Sequence, residues 1–383
     1  MRQVEGARDL AAMAGAGGAS EVACDGCLRR SWLIARLSGN IELAWAARRP
    51  LPAVLSLADG ELIAALAGEQ RRRVEQEYER FDAGAALQRC ADRAITAVCR
   101  CDQRYPTRLS ELTDAPAVLH VLGDAARFVE LTGADCAGIV GARRATPYGL
   151  EQARGLGRGL ASAGVTVVSG MALGIDSAAH TGALDVGGAT VAVLAGGPER
   201  AYPASKRQLH AQIAATGAVM SEMPPGTAAR RWGFPARNRV IAALGQLTVV
   251  VEAGERSGSL ITAALCLDLG RDVAAVPGLV TSTASAGTNA LIADGARLVR
   301  GAGDVLELLY GAAAPVLSDI AARSGALPAD LGELLERVGR GRDTVAALTA
   351  DGLGLDAVLA GLAQLELRGR VRRGAGGRYV CCA

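Results

Sequence analysis

Two adjacent arginines, Arg143 and Arg144, stand in the segment IVGARRATPYG (139–149), an apolar run that turns at Gly141 and continues toward Pro147. A strand end, a glycine turn and a helix start are the parts of a dinucleotide-binding loop. The glycines here, Gly138, Gly141 and Gly149, do not satisfy G-x-G-x-x-G, which counts against a nicotinamide or flavin, and no cofactor is expected. A guanidinium in such a turn offers paired donors matched to a phosphodiester. The competing role for either arginine is an ion pair with a nearby carboxylate.

Further turns carry related chemistry. In SGMALGIDSAAH (169–180), Ser169, Gly170 and Gly174 can present backbone N–H groups to an anion, and Asp176 or Ser177 can cap the following helix. His180 reads as a core hydrogen-bonding histidine. In AGGPERAYPASKRQLH (195–210), Tyr202 offers a stacking face, and Lys206, the single lysine among 41 basic residues, falls near a helix start. The stretch SEMPPGTAARRWGFPARNRVIAAL (221–244) sets Arg230, Arg231, Arg237 and Arg239 among Trp232 and Phe234, with Asn238 between the last two arginines. Aromatics make up only 3% of the chain, so rings interleaved with cations read as a surface for an unstacked polynucleotide strand. An exposed loop with one aromatic tucked inward is the plainer alternative. In VVEAGERSGSLITAA (250–264), Glu252 follows a strand, and Ser257, Gly258 and Ser259 open a helix. Asn289 lies near another helix start. Several anion-ready turns on one sheet edge are a stronger signal than any one of them.

No Walker loop G-x-x-x-x-G-K-[ST] occurs, no His–Glu metal helix, and no Ser–His–Asp trio can be assembled, so no catalytic residue is assigned. CDGC (24–27) has the spacing of half a zinc site. Its nearest companions, Cys90, Cys99 and Cys101, do not repeat that spacing, and no metal site is expected.

The elements that must position these residues fall into three zones. Residues 1–125 read as helical, ending in a proline-broken connector, DQRYPTRLSELTDAPAVLHVLGD (102–124). Over 126–310, the apolar runs AGIVG, VTVVSG, ATVAVLAGG, GAVMSE, LTVVVEA and DVAAVPG alternate with helix-length segments. Short continuous apolar runs are strands buried on both faces, so this zone is an α/β unit with an extended Rossmann-like parallel sheet, binding ligand at the strand C-terminal ends. Residues 311–383 read as a linker and a small winged-helix-like domain. There the apolar face of LDAVLAGLAQLELRG comprises Leu355, Val358, Leu359, Leu362, Leu365 and Leu367, and Arg368, Arg370, Arg372, Arg373 and Arg378 flank a glycine hairpin. The net charge of +2 leaves any nucleic-acid affinity to a local patch. Nine scattered cysteines, an N-terminus (MRQVEGARDLAAMAG) without a signal-peptide pattern, and apolar runs far short of a bilayer span lead to the expectation of a cytoplasmic protein with no membrane contact.

In YPTRLSELTDAPAVLHVLGD, IVGARRATPYG, GVTVVSGMALGIDSAAHTGAL, FPARNRVIAAL, VVEAGERSGSLITAALCLDLGRDVAAVPG and GTNALIADGA, the chain resembles the DNA processing protein A family (DprA, also called Smf) over residues 102 to about 300. The resemblance implies a helical, SAM-like N-terminal domain and a winged-helix-like C-terminal one around a Rossmann-like core. It also implies a homodimer that binds single-stranded DNA, protects incoming strands and loads the RecA recombinase in natural transformation or recombination. By position it assigns DNA contact to Arg143; to Gly170 and Gly174; to Arg237, Asn238 and Arg239; and to Ser257, Gly258 and Ser259, and the reading of the residues themselves adds Gly141, Arg144, Ser169, Lys206 and Phe234. Ala142 replaces the family's usual serine, and Lys206 a frequent asparagine. The rival expectation is an enzyme of the lysine-decarboxylase-like type, hydrolysing a nucleoside monophosphate with Glu252 as acid or base. That type should show a PGGxGT loop, where this chain reads VVEAGERSGS.

Overall fold

The computed structural model describes residues 23–188, 190–311, 329–350, 353–367 and 370–381. The N-terminal segment read above, most of the 311–335 linker, and Arg368 lie outside the described residues.

The six apolar runs all form strands, and three more join them. The strands are β1 (Ile95–Cys99), β2 (Val118–Gly123), β3 (Cys136–Val140), β4 (Thr166–Ser169), β5 (Thr190–Leu194), β6 (Ala218–Ser221), β7 (Leu247–Val250), β8 (Asp272–Ala275) and β9 (Arg297–Leu298). They make one sheet in the order β1-β2-β6-β5-β4-β3-β7-β8-β9. From β6 to β9 every pairing is parallel, while β2 pairs antiparallel with both β6 and β1. Residues 95–123, which the expected boundary at 125 assigns to the N-terminal domain, supply two strands to this same sheet. The connector's VLHVLG is a full strand whose partner, β6, lies nearly a hundred residues further along the chain.

Both faces of the sheet are covered, as a parallel sheet requires. On one side Val140, Val168, Val191 and Val250 pack with Val240, Ile241 and Leu244 of the helix Gly233–Leu244. On the other, Ile139, Val167 and Val249 meet Leu156 and Leu160 of the helix Pro147–Ser162, and Ile175 and Ala179 of the helix Ile175–Asp185. The short helices between Asp25 and Ala91 build a separate core around Leu33, Leu37, Ile41 and Leu62, into which Met223 and Trp232 insert. Three helices, Ala329–Gly339, Val345–Ala350 and Leu355–Leu367, precede the antiparallel pair β10 (Val371–Arg373) and β11 (Tyr379–Cys381). Val358, Leu362 and Leu365 are buried there, but Leu355 and Leu359 face outward, so that helix's apolar stripe is narrower than its spacing predicts. Among the described residues no helix is long and apolar enough to cross a membrane.

Two histidines lie within this core. Thr190 Oγ1 donates its single proton to the Val167 carbonyl, so His180 Nδ1, 2.8 Å away, donates to it. His180 Nε2 and His120 Nδ1 have no hydrogen-bond partner. Burial pushes His120 down to about 4 and His180 down to about 3, from an ordinary 6.5. As pH falls below 6.5 the unfolded chain takes up protons that the folded one refuses, and stability drops by about 1.4 kcal/mol per pH unit for each histidine. Asp176, pushed up by burial against the pull of Arg237, works in the opposite sense, so the net slope is smaller than the two histidines alone would give. Urea unfolding near pH 7 and near pH 5 should show the lower midpoint at the acid end; equal midpoints would contradict two neutral core histidines.

Candidate nucleic-acid interface

The C-terminal ends of the parallel strands carry the turns singled out in the sequence, and they divide into filled and open sites. Gly141 ends β3 under Ile175 and the Glu252 carbonyl, too close for a Cβ. Ala142 N–H then donates to that carbonyl at 2.7 Å. The helix starting at Pro147 is capped by Thr146, whose Oγ1 accepts from Gly149 N–H at 3.2 Å. At this helix start lies the Glu252 carboxylate, 2% exposed, accepting from Thr146 N–H at 2.8 Å and Thr146 Oγ1–H at 2.7 Å. A helix N-terminus favours an anion, and the protein supplies its own. With both oxygens engaged, Glu252 braces β7 to the β3 turn.

The β4 turn repeats this pattern. Gly170 N–H and Ala172 N–H donate to Asp176 Oδ2 at 3.2 and 3.4 Å, the Ser169 hydroxyl donates to the Ile139 carbonyl at 2.5 Å, and Ser177 Oγ–H donates to the Ala172 carbonyl. Arg237, 5% exposed, donates from Nη1 to the Val193 carbonyl at 2.8 Å and lies 3.9 Å from Asp176 Oδ2. Its guanidinium rests on Gly170, where a Cβ would meet Nη1 at 1.3 Å. Gly174, at φ +80°, faces the Ala142 carbonyl, 2.2 Å from where its Cβ would stand.

Ser169, Gly170 and Arg237, expected to touch an outside phosphate, bond within the fold to the Ile139 carbonyl, Asp176 and the Val193 carbonyl, and Gly174 lies against the Ala142 carbonyl. Arg239, expected there too, is likewise bonded within the fold. It is 4% exposed, with Nε 2.9 Å from Asp114 Oδ2 and Nη2 donating to Glu222 Oε2 at 2.7 Å. Burial alone would lower its pKa, but Glu222 and Asp114 outweigh burial and raise it. Asn238 is half-buried between the two. Nor is Trp232 a stacking face, since it is buried with Nε1–H donating to the Ser38 carbonyl at 2.9 Å, while Arg230 Nε donates to Ser38 Oγ. This stretch docks the N-terminal helices.

What stays open is a smaller set. Arg143 and Arg144 are exposed and Lys206 half-buried, and no carboxylate among the described residues lies within ion-pair distance of them. Arg143 rests instead over the Phe234 ring, 4.9 Å from its centroid, and Phe234 meets Tyr202 at 5.2 Å between centroids. Tyr202 is 49% exposed. Cations and rings do alternate here, but the members come from the turns after β3, β5 and β6 rather than from one segment. On the other side of β3, Ser257 and Ser259 join hydroxyls at 2.7 Å beside an exposed Gly258 with open space around it, at the start of the helix Ser259–Asp268. Among the expected helix starts, this one holds no carboxylate of its own. Asn289 bonds both backbone groups of Gly278 and holds the turn after β8.

The fold also gathers cysteines that the sequence leaves apart. The Sγ atoms of Cys24, Cys27, Cys99 and Cys101 all lie within 4.8 Å of one another. The second pair is C-x-C at the end of β1, a spacing that the search for a repeated C-x-x-C passes over.

A family model described as DNA recombination-mediator protein A matches residues 96–310. The DNA processing protein DprA of Bacillus subtilis is 36% identical over 239 residues, 62% of this chain and 79% of that protein. A Mycobacterium tuberculosis protein of the same name is 50% identical over 195 residues, 51% of this chain and 50% of its own, so the chain spans about half the length of that relative. The X-ray structure of Streptococcus pneumoniae DprA is similar at a TM-score of 0.59 and 32% identity, covering 73% of this chain and 95% of that one. The Helicobacter pylori structure described for the single-stranded DNA binding mode of DNA processing protein A is similar at a TM-score of 0.51 and 27% identity, covering 56% and 95%.

Proposed function

The chain belongs to the family of DNA recombination-mediator protein A, and on that premise we propose that it binds single-stranded DNA without reading sequence. The contacts are Arg143, Arg144 and Lys206 to phosphates, Phe234 and Tyr202 to bases, and the Ser257–Gly258–Ser259 helix start to a further phosphate. The observation that carries this reading is Arg143 laid over Phe234 beside Tyr202, a cation and two rings gathered from separate turns with no carboxylate pairing them off. Support also comes from the Helicobacter pylori relative, described by its single-stranded DNA binding mode. We further propose, from the family resemblance, that the protein acts in the cytoplasm as a homodimer, without enzymatic activity, protecting incoming strands and handing them to the RecA recombinase during transformation or recombination. The division at 126–310 for the DNA-binding unit is proposed in extended form, with 95–123 included.

A salt titration with a short oligothymidylate tests the placement. Each lost phosphate contact on a single strand flattens the slope of log affinity against log salt by about 0.7, so Arg143→Ala and Lys206→Ala should each do so. Tyr202→Ala should weaken binding by about 1–3 kcal/mol while leaving the slope unchanged, because stacking releases no counterions. Unchanged slopes for both cation variants would overturn this interface.

A further inference from the structure

Four cysteines gathered by the first helix and β1 stand outside the set of DNA contacts proposed above. Cys24 is the residue immediately before the helix Asp25–Arg36, and Cys27 lies in its first turn. This places both sulfurs at one end of the helix. Cys99 is the last residue of β1, and Cys101 follows two residues later in the turn. The two pairs are more than seventy residues apart in sequence. Cys27 and Cys99 are buried; Cys24 and Cys101 reach solvent.

We propose that Cys24, Cys27, Cys99 and Cys101 form a four-thiolate site for a single zinc ion, which staples the first helix to the edge strand of the sheet. Four thiolates at about 2.3 Å from a tetrahedral zinc stand about 3.8 Å apart. Cys27 Sγ and Cys101 Sγ are 3.8 Å apart, and no pair among the four exceeds 4.8 Å. A disulfide needs only two sulfurs at about 2.05 Å, and all four cysteines are free thiols. Iron–sulfur clusters distribute their thiolates over several irons and hold them further apart than this group. The Cys24 backbone N–H points at Cys99 Sγ, 3.5 Å away, the kind of donor that stabilises a metal-bound thiolate. With four sulfurs and no open position, the ion would be structural. Soft thiolates favour zinc over magnesium, calcium or manganese. The buried residues of this junction besides the cysteines are Ala23, Leu28, Ile95, Ala97 and Val118, with Phe81 and Leu87 packed against them, and a metal would crosslink the elements that meet there.

Elemental analysis of the full chain, purified under reducing conditions without chelator, should find about one zinc per chain. Cys24→Ser and Cys101→Ser should each lower that content at least tenfold. Cys90→Ser, in the same apolar cluster but outside the four, should leave it unchanged, and Cys101→His should retain it, since histidine can replace one thiolate. Cobalt added to the zinc-free reduced chain should give the thiolate charge-transfer and tetrahedral d–d bands. Zinc undiminished in both serine variants would overturn the assignment. So would iron in its place, or cobalt binding without thiolate bands.

Discussion

Arg239→Ala is expected to destabilise the protein by about 3–5 kcal/mol, a large part of the stability of an ordinary domain. The arginine lies within ion-pair reach of two carboxylates. Asp114, from the turn before β2, and Glu222, just after β6, converge on it with 3% and 10% of their side chains exposed. Removing the guanidinium leaves both carboxylates in a place where neither is well hydrated, and that penalty exceeds the worth of the pairs themselves. Replacing all three residues by neutral groups of similar size should recover most of the loss. Urea unfolding of the full chain reads both results. A single variant within about 1 kcal/mol of the parent would mean that the carboxylates find other partners.

Gly170→Ala should cost about 3 kcal/mol, and the loss should vanish in an Arg237→Ala background. The added methyl would occupy the position of Arg237 Nη1, expelling the guanidinium from the Val193 carbonyl and from Asp176. Arg237→Ala alone should cost a similar amount, by stranding Asp176. The double variant should then be about as stable as Arg237→Ala, a coupling that two independent sites would not show. Were Gly170 a phosphate-contacting glycine, the substitution would weaken DNA binding and spare stability. Additive losses would refute the packing described here.

The sheet was legible because its central strands are apolar runs bracketed by glycine turns, and burial on both faces leaves no other pattern. β1 and β2 were not, because ITAVC and VLHVLG flank a proline-rich stretch that resembles a linker, and their antiparallel pairing has no local sign. Arg143, Arg144 and Lys206 were singled out by type and position. Arg237 and Arg239 carry the same chemistry in the sequence, yet what separates them is burial against carboxylates more than fifteen residues away. Sequence alternation alone does not separate a folded ion-pair network from an open surface. The cysteine quartet was missed for a similar reason: one pair lies at a helix start and the other at a strand end, and only the fold brings them together.

Glu252 and Asp176, lodged against the two turns that most resemble nucleotide pockets, also bear on competition. In a cell, free nucleotides greatly outnumber any exposed strand, and a fold of this kind with vacant phosphate loops would be saturated by them. On the proposed function, a mononucleotide would find those seats taken and engage only one outlying contact at a time. A polymer would engage several at once, each attachment raising the effective concentration of the next. Self-occupied pockets would thus turn a fold suited to single nucleotides into one that counts how many are joined.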